Sequence, residues 1–284
     1  MLRSGGLPEQ THQAMSPQTR LAAFDLITRG QVYDLGLELR AGAPNAEHDT
    51  CVPFRLFTHR TPEDMARETE GGGVTFHIDG VEGTLHQSTH IDALVHCQYE
   101  GRIYGGADMT KTRRDRGWTE HGVETIPPIV ARGVLFDLLA VKETDRLPES
   151  YAIRPDDLAQ CLGAHGMALQ PGDVPLLRTG RVNEYLTPTF AEGAPGLSVA
   201  AARYLAASGV AAVAIDGPSI DPQPVPDGEE TAHVALLVER SVPVIENIFL
   251  EELAERRIVE CVFVAVPLKI TGASGSWIRP IAIV

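Results

Sequence analysis

Between residues 86 and 96 the chain reads His-Gln-Ser-Thr-His-Ile-Asp-Ala-Leu-Val-His, and no other stretch constrains the fold as much. His86, His90, Asp92 and His96 all carry even numbers. An extended chain would therefore present all four on one face. Gln87, Thr89, Ile91, Ala93 and Val95 would occupy the other face. A helix would keep His86 beside His90 but rotate Asp92 and His96 away. Converging imidazoles with a carboxylate make a donor set for a divalent metal. The pattern predicts a strand with a metal site built on it, either straight through to His96 or turning off the sheet into a loop or helix between Asp92 and His96.

The rest of the chain must supply a core to hold that strand. At 284 residues, with 43% apolar and 22% charged side chains, it has enough material for one. No uninterrupted apolar run approaches the ~20 residues of a membrane span. The net charge of −14 argues against nucleic acid or an anionic membrane as partner but does not choose a substrate; the expected partner is a small molecule. Cys51, Cys97, Cys161 and Cys261 are widely spaced and form no CxxC, so a zinc ribbon or thioredoxin motif is excluded. They read as reduced thiols in a cytoplasmic protein, with Cys97 a small buried filler next to the motif. No signal-peptide h-region is expected at the N-terminus.

Residues 1–15 are expected to form a flexible tail and 16–284 a single domain. Ser16-Pro17 opens a helix that stops at Gly30. Val32 to Leu39 reads as a strand, and Phe54 and Phe57 as core cover in preference to a substrate wall. Thr61-Pro62 opens a second helix, ended by Gly71-Gly72-Gly73. Asp79-Gly80 reads as the turn of a hairpin, Val74–Ile78 with Val81–His86, placing the motif at the end of its second strand. Tyr99, Arg102 and Tyr104 follow on a solvated loop or at a pocket mouth. Further strands are expected at Gly133–Val141, Val174–Arg178, Val210–Ile215, Val242–Asn247, Ile258–Ile270 and Trp277–Val284. Helices are expected from Arg154-Pro155, from Ser198 to Gly209, from Thr231 to Glu239 and from Glu251 to Arg257. Strands and helices alternate irregularly, which indicates an α/β class with a mixed sheet flanked by helices.

His86-x-x-Thr89-His90-x-Asp92-x-x-x-His96 resembles the signature of the metal-dependent cyclase family, which includes kynurenine formamidase-like and isatin hydrolase-like members. The family's usual pattern is His-x-Gly-Thr-His-x-Asp-x-Pro-x-His. Ser88 stands here where glycine is usual, and Leu94 where proline is usual, implying a branch apart from the kynurenine formamidases. Later blocks are also similar: 132–137, 171–180 and 214–221. The resemblance spans roughly residues 30 to 284 and implies a swivelling β/β/α-type domain and a homodimer or homotetramer.

The same resemblance implies roles. His86, His90 and Asp92 would ligate Zn2+ or Mn2+. Asp92 would bridge to a second ion held by His233 and Glu246, beside Asn247. His96 would carry the proton, and its ordinary pKa of about 6.5 suits that task; a fourth-ligand role is the alternative. Asp216 reads as a turn residue or as an orienting partner for a ligand histidine, and Arg178 as a carboxylate binder or an ion-pair partner. The implied activity is hydrolysis of a C–N amide bond, in an N-acyl arylamine or a cyclic amide, by metal-activated water. The rival readings are a lyase or cyclase at the same metal site and a non-catalytic metal-binding protein.

Overall fold

A computed structural model describes residues 15–43, 52–68, 73–225 and 229–284. The tail expected over residues 1–15 lies outside the described residues up to position 14, as do Cys51 and Gly71-Gly72. Nine short strands form the main sheet, numbered in chain order: β1 (Val32–Asp34), β2 (His90–Asp92), β3 (Ile129–Asp137), β4 (Val174–Arg178), β5 (Val213–Ile215), β6 (Val244–Glu246), β7 (Glu260–Ala265), β8 (Gly275–Trp277) and β9 (Ile281–Ile283). Their order across the sheet is β1-β9-β7-β3-β4-β5-β6-β2-β8. The central run β3-β4-β5-β6 is parallel. The flanking pairs are antiparallel. The fold is thus α/β, with a mixed sheet flanked by helices.

Both faces of the sheet are buried, as a parallel centre requires. Leu176, Ala214 and Ile245 pack into one apolar cluster, while their neighbours Leu177, Val213, Ile215 and Val244 pack into the other. The second cluster is covered by the helices Pro155–Ala164 and Val199–Ala207 and by the helical segment around Val234–Val238. Their starts follow the sequence signals: Ser198 Oγ accepts from Ala201 N at 3.2 Å, and proline opens the helix after Arg154. Ser16 caps Pro17–Phe24 in the same way. No helix among the described residues is long and apolar enough to cross a membrane.

The expected hairpin is built differently. Ile78–Glu82 is one continuous strand, and it pairs antiparallel with Arg55–Arg60 rather than folding back at Asp79-Gly80. Gly80 is there for the neighbouring ring: a Cβ on it would meet Phe57 Cζ at 2.5 Å. Phe54 is buried against Trp277, whereas Phe57 is exposed, so only the first of the two covers core. The strand expected at Val32–Leu39 spans only three residues, and the one expected at Ile258–Ile270 ends at Ala265. Apolar runs set the position of a strand better than its end, because the end depends on where its neighbour stops pairing.

Candidate metal centre

The site grows from β2. His90 and Asp92 are two apart, so they share a face, and Ile91 points the other way into the core. β6 lies beside β2 with Glu246 directly opposite His90, which puts the Glu246 side chain on the same face. The sheet register alone thus gathers three donors. His90 Nε2 lies 3.3 Å from Glu246 Oε2 and 3.5 Å from Asp92 Oδ1.

The single extended strand from 86 to 96 is not what forms. β2 covers three residues, with His86 in a turn before it and His96 in a bend after it. The cause is Ser88, whose φ of +57° is left-handed, a conformation that glycine adopts at least cost. Ser88 holds it through its hydroxyl, which donates to the carbonyls of Leu37 (3.1 Å) and Glu38 (3.2 Å). The reversal turns the Ser88 carbonyl to accept from His90 Nδ1 at 2.8 Å and from Asn247 Nδ2 at 2.9 Å. His90 therefore keeps its proton on Nδ1 and directs Nε2 at the carboxylates. Asn247 serves as a brace for this turn.

His86 returns by the turn to place Nδ1 2.7 Å from Asp92 Oδ1, with Nε2 2.9 Å from Ser274 Oγ. Both its nitrogens are engaged, so acting as a ligand requires it to release one of these partners. Gly275 makes room for this ring: a Cβ there would meet His86 Cε1 at 2.5 Å. His96 stacks on His86 with ring centroids 4.0 Å apart.

His233 arrives from the helical segment 232–240. Asp221 Oδ1 accepts from the backbone N–H of Ala232 and His233 at that segment's start, and Asp221 Oδ2 takes His233 Nδ1 at 2.6 Å. His233 Nε2 then lies 3.5 Å from Asp92 Oδ2 and 3.4 Å from Glu246 Oε1. Glu246 Oε1 is itself fixed by the Ile220 N–H at 2.7 Å. All six expected residues, His86, His90, Asp92, His96, His233 and Glu246, thus meet around one carboxylate.

Two atoms of the cluster are left over, facing each other at 3.5 Å, while Gln87 Oε1 and Asn247 Oδ1 beside it are also buried and unpaired. Asp92 Oδ2 and His233 Nε2 are buried and have no hydrogen-bond partner. Buried polar atoms rarely stay unpaired, and each costs about 1–3 kcal/mol when they do. Donor atoms also cluster within metal-binding reach in two sets, His86/Asp92/His96 and His90/Asp92/Glu246, both including Asp92. This grouping divides the histidines differently from the His86/His90/Asp92 set that the signature implies. The charges point the same way. Burial would raise the Asp92 carboxyl, yet the surrounding histidines hold it well below the usual range. Burial would lower His90 and His233, but Glu246 and Asp92 lift His90 to about 9, and Asp221, with Asp92 and Glu246, holds His233 well above the ordinary value. Carboxylates in excess are being neutralised by protons that a divalent cation would replace. The residues fit such an ion. His96 differs: burial presses it down to about 4, below the ordinary value expected for its proton-carrying role, so without a metal it is a neutral and weak base near pH 7.

The cluster forms part of the wall of a cavity of about 680 Å3, within the range of small-molecule sites. Cys97 and Gln98 line it; Tyr99, Arg102 and Tyr104 do not. Asp216 orients no histidine. It accepts from Thr179 N, Thr179 Oγ1 and Gly180 N. Arg178 is an ion-pair partner, held by Glu251 at 2.6 Å and Asp137 at 2.9 Å. Asp221 and Ser274 are the positioning residues that sequence reading passed over. Asp221 precedes its histidine by twelve residues, and no periodic pattern links the two.

A family model described as a putative cyclase matches residues 33–222, two thirds of the chain. The chain belongs to the putative cyclase family. A solved novel cyclase resembles this cyclase-family chain over 98% of its length and 97% of its own, with TM-score 0.86 and 27% identity. Isatin hydrolase A from Ralstonia solanacearum superposes over 94% of this chain and 97% of its own, with TM-score 0.67 and 21% identity, a likeness of fold. Kynurenine formamidase of Bacillus cereus is 33% identical over 109 residues, 37% of this chain, and the chain spans about half the length of that curated relative. His233 and Glu246 lie beyond the family match, and the resemblance to the solved cyclase extends over them.

Proposed function

We propose that this chain is a metal-dependent hydrolase that adds water across the C–N bond of a small amide, N-acyl or cyclic. The observation that carries the reading is the buried, unpartnered pair Asp92 Oδ2 and His233 Nε2 within the six-residue cluster at the cavity. The names of two relatives, a formamidase and an isatin hydrolase, support the same bond type. His86, His90 and Asp92 would hold one divalent ion, Zn2+ or Mn2+, with His233 and Glu246 available for a second. Such an ion supplies Lewis acidity, lowering the pKa of water toward ~7 and polarising a carbonyl oxygen.

The chain's own groups do the rest. The Ser88 carbonyl and the Asp221 carboxylate fix the tautomers of His90 and His233, leaving Nε2 of each as a lone-pair donor. His96, neutral near pH 7, accepts the proton released as water adds to the carbonyl carbon. It then delivers that proton to the nitrogen as the C–N bond breaks. Stacking on His86 fixes the plane of the His96 ring.

The test is metal analysis of the purified protein, followed by hydrolysis of N-formyl arylamines, isatin-like lactams and cyclic imides with and without chelator. The expected result is chelator-sensitive turnover, with the summed mass of the products exceeding the substrate by one water, carried in a single product for the ring substrates. Turnover indifferent to chelation would overturn the reading, as would products that have lost water, which mark a lyase.

A further inference from the structure

Away from the histidines and carboxylates, the cavity wall consists of short polar and aliphatic side chains, among them Thr84, Gln98, Ser219, Gln223 and Val225. Among the described residues no phenylalanine, tyrosine, tryptophan, lysine or arginine lines it. The remaining segments leave little room for one. Residues 44–51, 69–72 and 226–228 contain none of these five types, and residues 1–14 contain only Arg3.

This composition sorts substrates. Aryl rings are held by aromatic and large apolar faces, and free carboxylates by arginine or lysine. The wall offers no arginine or lysine, and its only aromatic faces among the described residues are the imidazoles of the metal centre. Asp221 and Glu246 line it, so a free substrate carboxylate finds no cationic partner on this wall outside the metal centre.

Besides the Thr231 hydroxyl, three groups remain to read an uncharged substrate. Gln98 Oε1 accepts from Gly101 N at 2.7 Å, which leaves Nε2 as a free donor. Gln223 Nε2 reaches the Asp221 carbonyl at 3.4 Å, which leaves Oε1 as a free acceptor. Ser219 Oγ accepts from Asp221 N at 3.1 Å, which leaves its proton to donate. Donors and an acceptor together match a group that carries both C=O and N–H.

Resting on the amide-hydrolase reading above, we propose that the site takes uncharged, non-aromatic cyclic amides or imides, selected by Gln98, Ser219 and Gln223. Of the two amide classes that reading began from, arylamides lose their binding face, and the ring amide remains. The reaction balances with water alone. The carbonyl carbon gains a hydroxyl, the ring C–N bond breaks, and the nitrogen takes the proton. The product is a single open-chain molecule with a new carboxylate.

The test is calorimetric binding to the metal-loaded full chain carrying His96→Ala, which blocks turnover. Succinimide and hydantoin are compared with isatin and 2-formamidobenzoate. The two saturated rings are expected to bind at least tenfold more tightly than the aryl compounds. Gln98→Ala and Gln223→Ala, made in the same background, should each erode that preference several-fold with metal content unchanged. Equal or tighter binding of isatin or 2-formamidobenzoate, or no binding of the saturated rings, overturns the proposal. Failure of the underlying reading looks different. There the binding preference stands, but the wild-type protein hydrolyses no amide.

Discussion

Asp92 and Asp216 are both fully buried carboxylates of the same sheet, one on β2 and one just past β5, yet they are finished in opposite ways. Asp216 accepts two backbone N–H groups and a hydroxyl from Thr179 and Gly180, and both its oxygens are satisfied. Asp92 has His86 on one oxygen and no hydrogen-bond partner on the other. The first closes a loop; the second leaves an oxygen facing His233 Nε2 at 3.5 Å, beyond hydrogen-bond geometry. Burial of an acid is therefore a poor mark of chemistry. An unfilled donor atom that the fold has gone to some length to bury is a better one.

Substitutions can break this contrast, starting with the largest effect. His90→Ala removes the nitrogen that faces both carboxylates, and metal and turnover should be lost together; full metal occupancy would remove His90 from the ligand set. His96→Ala should keep its metal while turnover falls about 10²–10⁴-fold, the usual share of a general acid–base group. Unchanged turnover would take His96 out of the mechanism. Asp216→Ala should cost about 3 kcal/mol in denaturant unfolding, since it strands buried N–H groups, with metal content unaffected. Metal loss at unchanged stability would reverse the roles of the two acids.

Two smaller effects sharpen the structural side. Asp157 accepts from Lys142 Nζ (2.6 Å), Tyr151 OH (2.9 Å) and Arg154 N (2.8 Å). Burial would raise its carboxyl, but these donors, Lys142 first, hold it below the ordinary value. With the folded value depressed, its contribution is present above the unfolded value of about 3.8 and is lost as pH falls through the folded one. Asp157→Asn should therefore cost about 1.5–3 kcal/mol at pH 7 and converge on the wild type in strong acid. A pH-independent difference would show that packing, not charge, is at work. Ser88→Gly should shift stability by less than about 1 kcal/mol. It relieves a left-handed residue but loses two hydroxyl bonds. A large loss would show that the hydroxyl, not the backbone geometry, sets the turn.

The sequence made the β2 part of this site legible because alternation is local. His90 and Asp92 share a face for the reason that period two implies. It failed at Ser88 because a non-glycine residue at positive φ leaves no trace in hydrophobic pattern. Glu246 and His233, and the role of His96, came from family likeness alone. Their convergence depends on the β2–β6 register and on the start of the segment 232–240, both set by contacts distant in sequence. Asp221 and Ser274 were out of reach for the same reason. Asp79-Gly80 misled because a strong turn dipeptide also suits a strand position covered by a ring from the neighbouring strand.

The account rests on the open oxygen of Asp92. Its most direct test is metal content, by elemental mass spectrometry, of the wild type, Asp92→Asn and Asp216→Asn, each purified with zinc or manganese supplied. The account predicts near-stoichiometric metal in the wild type and in Asp216→Asn, and none in Asp92→Asn. Asp92→Asn holding as much metal as the wild type, or a wild type that takes up neither ion, would contradict it.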